Sequence, residues 1–87
     1  MKIYKFEVPI YDDAVIMMPK GARILSVQVQ HGKPVLWALV DHNAPEVKRR
    51  FAVRGTGHDI DGLVGEFVGT FQLRDGRLVF HLFDLGE

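Results

Sequence analysis

An all-β domain, a compact antiparallel sandwich or barrel of about seven short strands, is the fold class this sequence predicts. Three observations predict it. Apolar residues recur with period two over most of the chain, the signature of half-buried strands. Tight-turn signals separate these runs at short intervals. No stretch carries the 3.6-residue apolar period of an amphipathic helix. At 87 residues the chain reads as a single domain, residues 1–87.

Taken in order, Lys2 to Val8 alternates, with Tyr4, Phe6 and Val8 on one side and Ile3, Lys5 and Glu7 on the other. Pro9 closes this strand, and Tyr11-Asp12-Asp13 reads as a solvated turn. Ala14 to Met18 is a short apolar run ended by Pro19-Lys20-Gly21. The stretch Ala22 to His42 then predicts a central hairpin. Its turn, Gln30-His31-Gly32-Lys33, suits a two-residue loop with φ > 0 at both central positions. In its first strand Leu25, Val27 and Val29 are expected on one face and Ile24, Ser26, Gln28 and Gln30 on the other. Its second strand, Val35 to Val40, is apolar on both faces. Val47 to Arg54 alternates again. Glu66 to Leu73 is expected to place Phe67, Gly69, Phe71 and Leu73 on one face and Val68, Thr70 and Gln72 on the other. Gly69 in mid-strand predicts a bulge or a close approach of another segment. Arg74-Asp75-Gly76-Arg77 supplies an Asp-Gly hairpin, and Leu78 to Phe83 returns with Leu78, Phe80 and Leu82 inward and Val79, His81 and Phe83 opposite.

The totals narrow the function classes. A chain this short buries only roughly 60–65% of the surface that its unfolded form exposes. There are no cysteines, so neither disulfides nor thiolate metal sites reinforce it. Three runs, Ala14–Met18, Val35–Val40 and Leu78–Phe83, are apolar on both faces. They predict barrel-like closure or a subunit interface, so a homo-oligomer is expected. Eleven basic and eleven acidic residues cancel, which argues against nonspecific nucleic-acid binding. Met1 to Glu7 carries no hydrophobic signal core. No run approaches the roughly 18 apolar residues of a membrane span. An intracellular protein with no membrane partner is expected.

The densest positive feature is a strand face. Lys48, Arg50 and Arg54 stand at even spacing on the side of Val47–Arg54 opposite Val47, Arg49, Phe51 and Val53. This face either holds a phosphate or carboxylate through the planar arginine fork or is solvated and guards against strand pairing. Directly after it comes Gly55-Thr56-Gly57-His58. Two glycines allow a sharp turn whose successive N–H groups can cradle an anion, with the Thr56 hydroxyl and the His58 ring as added donors. The loop lacks the lysine and hydroxyl residue of a nucleotide-hydrolase phosphate loop and the third glycine of a dinucleotide fingerprint. Trp37 can stack on a base or pack in the core. A metal at Asp41-His42 would need a third ligand, and none is near in sequence. His58, Asp59 and His81 make a catalytic group only if folding unites them, and His81 reads first as a satisfied strand residue. No catalytic group, metal or cofactor is therefore expected.

Several runs resemble a family of short proteins of tailed phages and prophages. They are Pro19 to Gln30, Gly32-Lys33-Pro34, Leu36 to Asp41, Gly55-Thr56-Gly57-His58, Phe67 to Gln72 and Leu78 to His81, which together cover most of the chain. The resemblance implies a small accessory phage protein made in the host bacterial cytoplasm. Small accessory phage proteins often act against host immunity by binding, some to a host protein and some to a nucleotide-derived alarm molecule. The residues and the resemblance together lead to the expectation of a non-enzymatic binder. It would sequester a small anionic, nucleotide-derived immune signal through Trp37, Lys48, Arg50, Arg54, Gly55, Thr56, Gly57 and His58. The alternative is a protein-binding inhibitor or assembly module acting on a host or phage protein.

Overall fold

Seven strands form, and the turn residues divide them. The computed structural model describes residues 1–87. The strands are β1 (Lys2–Glu7), β2 (Asp13–Pro19), β3 (Arg23–Gln30), β4 (Lys33–Val40), β5 (Glu46–Gly55), β6 (Glu66–Leu73) and β7 (Leu78–Gly86). There is no α-helix, and so no helix long and apolar enough to cross a membrane. All pairings are antiparallel. One sheet has the order β1-β4-β3 and the other β2-β5-β7-β6. The two inner faces share one core, in which Met18, Leu36, Val40, Phe51 and Leu82 are fully buried.

Local chemistry accounts for the turns. His31 and Gly32 both take positive φ, 52° and 77°, between the paired residues Gln30 and Lys33. This is the two-residue hairpin expected from the sequence. The second hairpin also carries its expected turn: Asp75 and Gly76 take positive φ, 55° and 85°, and Arg77 N–H bonds Arg74 O. The ladder stops one pair earlier, at Leu73 and Leu78, because Arg74 too adopts positive φ and Gly76 N–H bonds Leu73 O, which adds an overlapping left-handed turn.

Of three register shifts, two decide which side chains face the core. On β3 the register shifts between Ile24 and Ser26. Ile24 and Val27 therefore both pack inward while Leu25 turns out, so Leu25 and Val27 do not share a face. On β6 the shift lies between Phe67 and Gly69. Val68 packs on the core and Phe67 is thrown to the outer surface, which reverses the expected alternation at that end. One extra residue on one strand has this effect because side chains alternate strictly. The two bulged edges meet. A Cβ placed on Gly69 would lie 2.8 Å from Val27 Cγ1, so Gly69 marks both a bulge and the close approach of β3. The third shift, between Arg50 and Phe51 against β7, leaves the faces of β5 as expected.

The doubly apolar runs find different cover. β4 is central in its sheet, and its outward Val35 is only 3% exposed. The Lys5 Nζ to Gln30 Oε1 hydrogen bond, 2.8 Å, crosses from β1 to β3 over that position. β7 is central in the other sheet. β2 is an edge, with Val15 and Met17 exposed on its outer side.

Arg49 secures one end of the sandwich. It lies on the inner side of β5 and grips Asp84 of β7 with two hydrogen bonds, Nε to Oδ1 at 2.9 Å and Nη2 to Oδ2 at 2.6 Å. Its Nη1 donates to the main-chain oxygen of Ala22, which ties the start of β3 to both strands. Burial works against the charge of Asp84, but hydrogen bonds from Arg49 and from Gly86 N–H outweigh it and hold the carboxyl below its ordinary range. The same pair raises the Arg49 pKa, chiefly through the hydrogen bond to Asp84.

Candidate functional site

The outer face of the four-stranded sheet carries two cross-strand rows near the end of β5. The first is Arg54, His81 and Thr70, and the second is Ala52, Phe83 and Phe67. In the first row His81 is held by hydroxyls on both sides. Its Nδ1 is 2.8 Å from Thr70 Oγ1 and its Nε2 is 2.8 Å from Thr56 Oγ1. A neutral imidazole satisfies this arrangement by donating to one threonine and accepting from the other. In the second row the rings of Phe67 and Phe83 meet edge to face, 5.6 Å apart. Ala52 beneath them is fully buried yet lies outside the core between the sheets.

The Gly55–His58 loop folds against this face. Gly55 to His58 is a four-residue turn closed by His58 N–H to Gly55 O, 3.0 Å. Gly57 has φ of 87° at its third position, the geometry that favours glycine in a type II turn. Gly55 serves a different purpose. A Cβ there would sit 3.0 Å from the His58 ring, so the glycine lets the imidazole lie on the backbone. Thr56 N–H donates to Val79 O and fastens the loop to β7. The anion cradle of successive free N–H groups expected from Gly55-Thr56-Gly57-His58 does not form. Thr56 and His58 commit their N–H groups to internal bonds, and Gly57 N–H is left without a protein partner. Any anion is met by side chains instead.

Between the loop and the sheet lies a cleft of about 280 Å³. Arg54, Thr56 and His58 edge it on the polar side, His81 lies in its wall, and Ile60, Phe67 and Phe83 give it an apolar floor. Arg54 is aimed by main-chain oxygens. Its Nη1 donates to Asp12 O and to Val53 O, and its Nη2 lies 3.9 Å from the largely exposed Asp13 carboxylate. A contact that long to a solvated carboxylate neutralises little. A second hollow of about 230 Å³ opens behind the same loop and brings in Arg77. A larger hollow, about 420 Å³, lies at the start of β3 and β6, but its Arg49 and Asp84 already satisfy each other.

The expected site residues therefore separate into three places. Arg54, Gly55, Thr56, Gly57 and His58 come together at the cleft. Lys48 and Arg50 share the outer face of β5 with Arg54, beside Met17 and Val15 of β2, but do not line the cleft. Trp37 belongs to the other sheet. Its neighbours Leu36 and Ala38 point into the core, so Trp37 points outward between Lys5 and Ser26. It is neither a core residue nor a wall of this cleft. Of the three residues weighed for catalysis, His58 and His81 share the cleft, while Asp59 accepts a hydrogen bond from Asp61 N–H in its own turn. No group of three or more His, Asp or Glu side chains is placed to hold a metal ion. Sequence reading missed Ile60, Phe67, Thr70, Arg77 and Phe83. One signal was available: Phe83 stands opposite the core-facing Leu82 on a strand whose inward side was already filled.

No curated protein and no solved structure matches the chain. A family model does match, over residues 1–87: the chain belongs to the family described as a domain of unknown function, DUF7352.

Proposed function

We propose that this protein is a non-enzymatic binder that takes up a small anionic ligand of nucleotide type in the cleft beside Gly55–His58. The observation that carries the proposal is the pairing of a cationic rim with an aromatic floor. Arg54 presents a guanidinium oriented by the main chain and not cancelled by a buried carboxylate. Phe67 and Phe83 lie beneath it. An arginine fork suits a phosphate or carboxylate, and an apolar aromatic floor suits a planar base. A cleft near 280 Å³ is at the small end of ligand sites, which favours one nucleotide unit over a polymer. A binding role without turnover is supported by His81, whose two ring nitrogens are both engaged by threonine hydroxyls and so are poorly placed to take a proton from a substrate.

The biological role we propose follows from the phage-like sequence runs. It is a small accessory protein that withholds a nucleotide-derived immune signal in the cytoplasm of an infected bacterium. Calorimetry against cyclic dinucleotides and ADP-ribose derivatives tests the ligand. Binding by the wild type that Arg54→Ala weakens at least about tenfold, some 1.4 kcal/mol, supports it. Silence across the panel removes it. A second reading, a protein-binding inhibitor or assembly module, is favoured by the exposed apolar edge at β2. In that case partner capture survives Arg54→Ala.

A further inference from the structure

The Gly55–His58 loop has a hollow on each side, and each hollow has its own arginine. On one side is the cleft of about 280 Å³ with Arg54. On the other is the hollow of about 230 Å³, where Arg77, Leu78 and Val79 form the wall. Gly55, Thr56 and His58 border both, so the loop stands between them. Arg77 is exposed and enters no ion pair. His58 is oriented as a platform. The Cβ that Gly55 lacks would lie 3.0 Å from Cε1, 3.2 Å from Nδ1 and 3.4 Å from Nε2 of the imidazole. Three such similar distances mean that the ring meets the glycine face on, because an edge-on ring would hold both nitrogens well behind Cε1. His58 itself is exposed, so the opposite face of the ring is open to a stacking partner.

We infer that the ligand is a dinucleotide that straddles this loop, with one phosphate at Arg54 and a second, separated phosphate at Arg77. The inference rests on the nucleotide reading of the cleft and extends it to the far side of the loop. Volume argues for two units. Each hollow falls below the roughly 300 Å³ at which ordinary ligand sites begin, so neither alone houses more than one nucleotide unit. Spacing selects the kind of ligand. Arg54 stands opposite His81, and residue 77 lies four positions before His81, about 13 Å along the strand direction at about 3.3 Å per residue. Two phosphates joined through one bridging oxygen sit side by side and meet one arginine. Two phosphates with a nucleoside between them span to both. Each guanidinium fork then holds one phosphate. The Phe67 and Phe83 rings take the base on the cleft side, and the open face of His58 takes the base that crosses the loop. Arg77 is thereby a specificity residue, which separates a dinucleotide from a mononucleotide.

Calorimetry of the full chain at physiological ionic strength tests it with three probes: AMP, ADP and the 5′-phosphorylated dinucleotide pApA. Wild type is expected to bind pApA at least about tenfold more tightly than AMP, with ADP close to AMP. Arg77→Ala, at an exposed position, is expected to bring pApA down to the affinity of AMP and to leave AMP itself unchanged. Arg50→Ala removes the same charge from an exposed position outside both hollows and is expected to preserve the pApA advantage, which separates a local contact from net charge. Four results overturn the inference: pApA no tighter than AMP, ADP as tight as pApA, a pApA advantage that survives Arg77→Ala, or one lost equally in Arg50→Ala. In each of these the nucleotide reading of the cleft still stands if AMP binds and Arg54→Ala weakens it. Silence with all three probes, or AMP binding that ignores Arg54→Ala, ends that reading and the inference with it.

Discussion

β5 carries arginines at both ends, and they behave differently. Arg49, near its start, lies inside the sandwich, and its fork closes on Asp84 and on the oxygen of Ala22. Arg54, near its end, lies on the outer face and is held by two main-chain oxygens beside an open cleft. One arginine joins three strands. The other is oriented but keeps most of its charge. The partner of a cation, more than its presence, separates a structural arginine from one available to a ligand. A partly buried pair draws most of its worth from mutual satisfaction. A guanidinium fixed by carbonyls is pre-oriented without being neutralised.

Arg49→Met leaves the partly buried Asp84 without its charged partner and is expected to destabilise the fold by about 2–3 kcal/mol, read by urea denaturation. Arg54→Met removes hydrogen bonds at the rim and is expected to cost no more than about 1.5 kcal/mol. Equal losses would mean that both arginines are structural. The same pair predicts the acid limb. The Asp84 carboxyl is held below its ordinary range, so the folded state binds its proton less readily than the unfolded chain. The stabilisation from Asp84 is present above the unfolded carboxyl pKa, near 4, and is lost as pH falls through the lower folded value. Asp84→Asn is expected to be less stable at neutral pH and to show a flatter decline in acid.

Two glycine substitutions sharpen the contrast between core and rim. Gly69→Ala forces a methyl against Val27 where two edges already touch, and a loss of about 1–3 kcal/mol is expected. Gly57→Ala strains a left-handed position with open space around it, and about 1–2 kcal/mol is expected. Thermal melts check both, and Gly57→Ala should in addition weaken ligand capture by displacing His58. The smallest effects belong to Lys48→Ala and Arg50→Ala. Both side chains are exposed and outside the cleft, so stability should move by less than about 0.5 kcal/mol, and calorimetric affinity should fall far less than for Arg54→Ala.

Much of the fold was legible because turn chemistry is local. His31-Gly32 announced its hairpin, and mid-strand Gly69 announced a close approach. What was not legible was non-local. Gly69 signalled a bulge, but not that the extra residue falls before it, which moved the Phe67 ring from the expected core face to the floor of the cleft. The row Arg54, His81 and Thr70 exists because β7 lies between β5 and β6, an order that local patterning does not encode. Trp37 misled for the opposite reason. Its flat ring suggested stacking, but the parity of β4 sends it out of the other sheet.

The claim that matters most is that the ligand enters between Arg54 and the two phenylalanines. Amide and side-chain NMR shifts recorded while the nucleotide panel is titrated in test it most directly. We predict perturbations gathered at Thr56, Gly57, His58, Phe67, His81 and Phe83, with the Trp37 indole unmoved. No perturbation with any ligand, or one centred on Trp37, would contradict it.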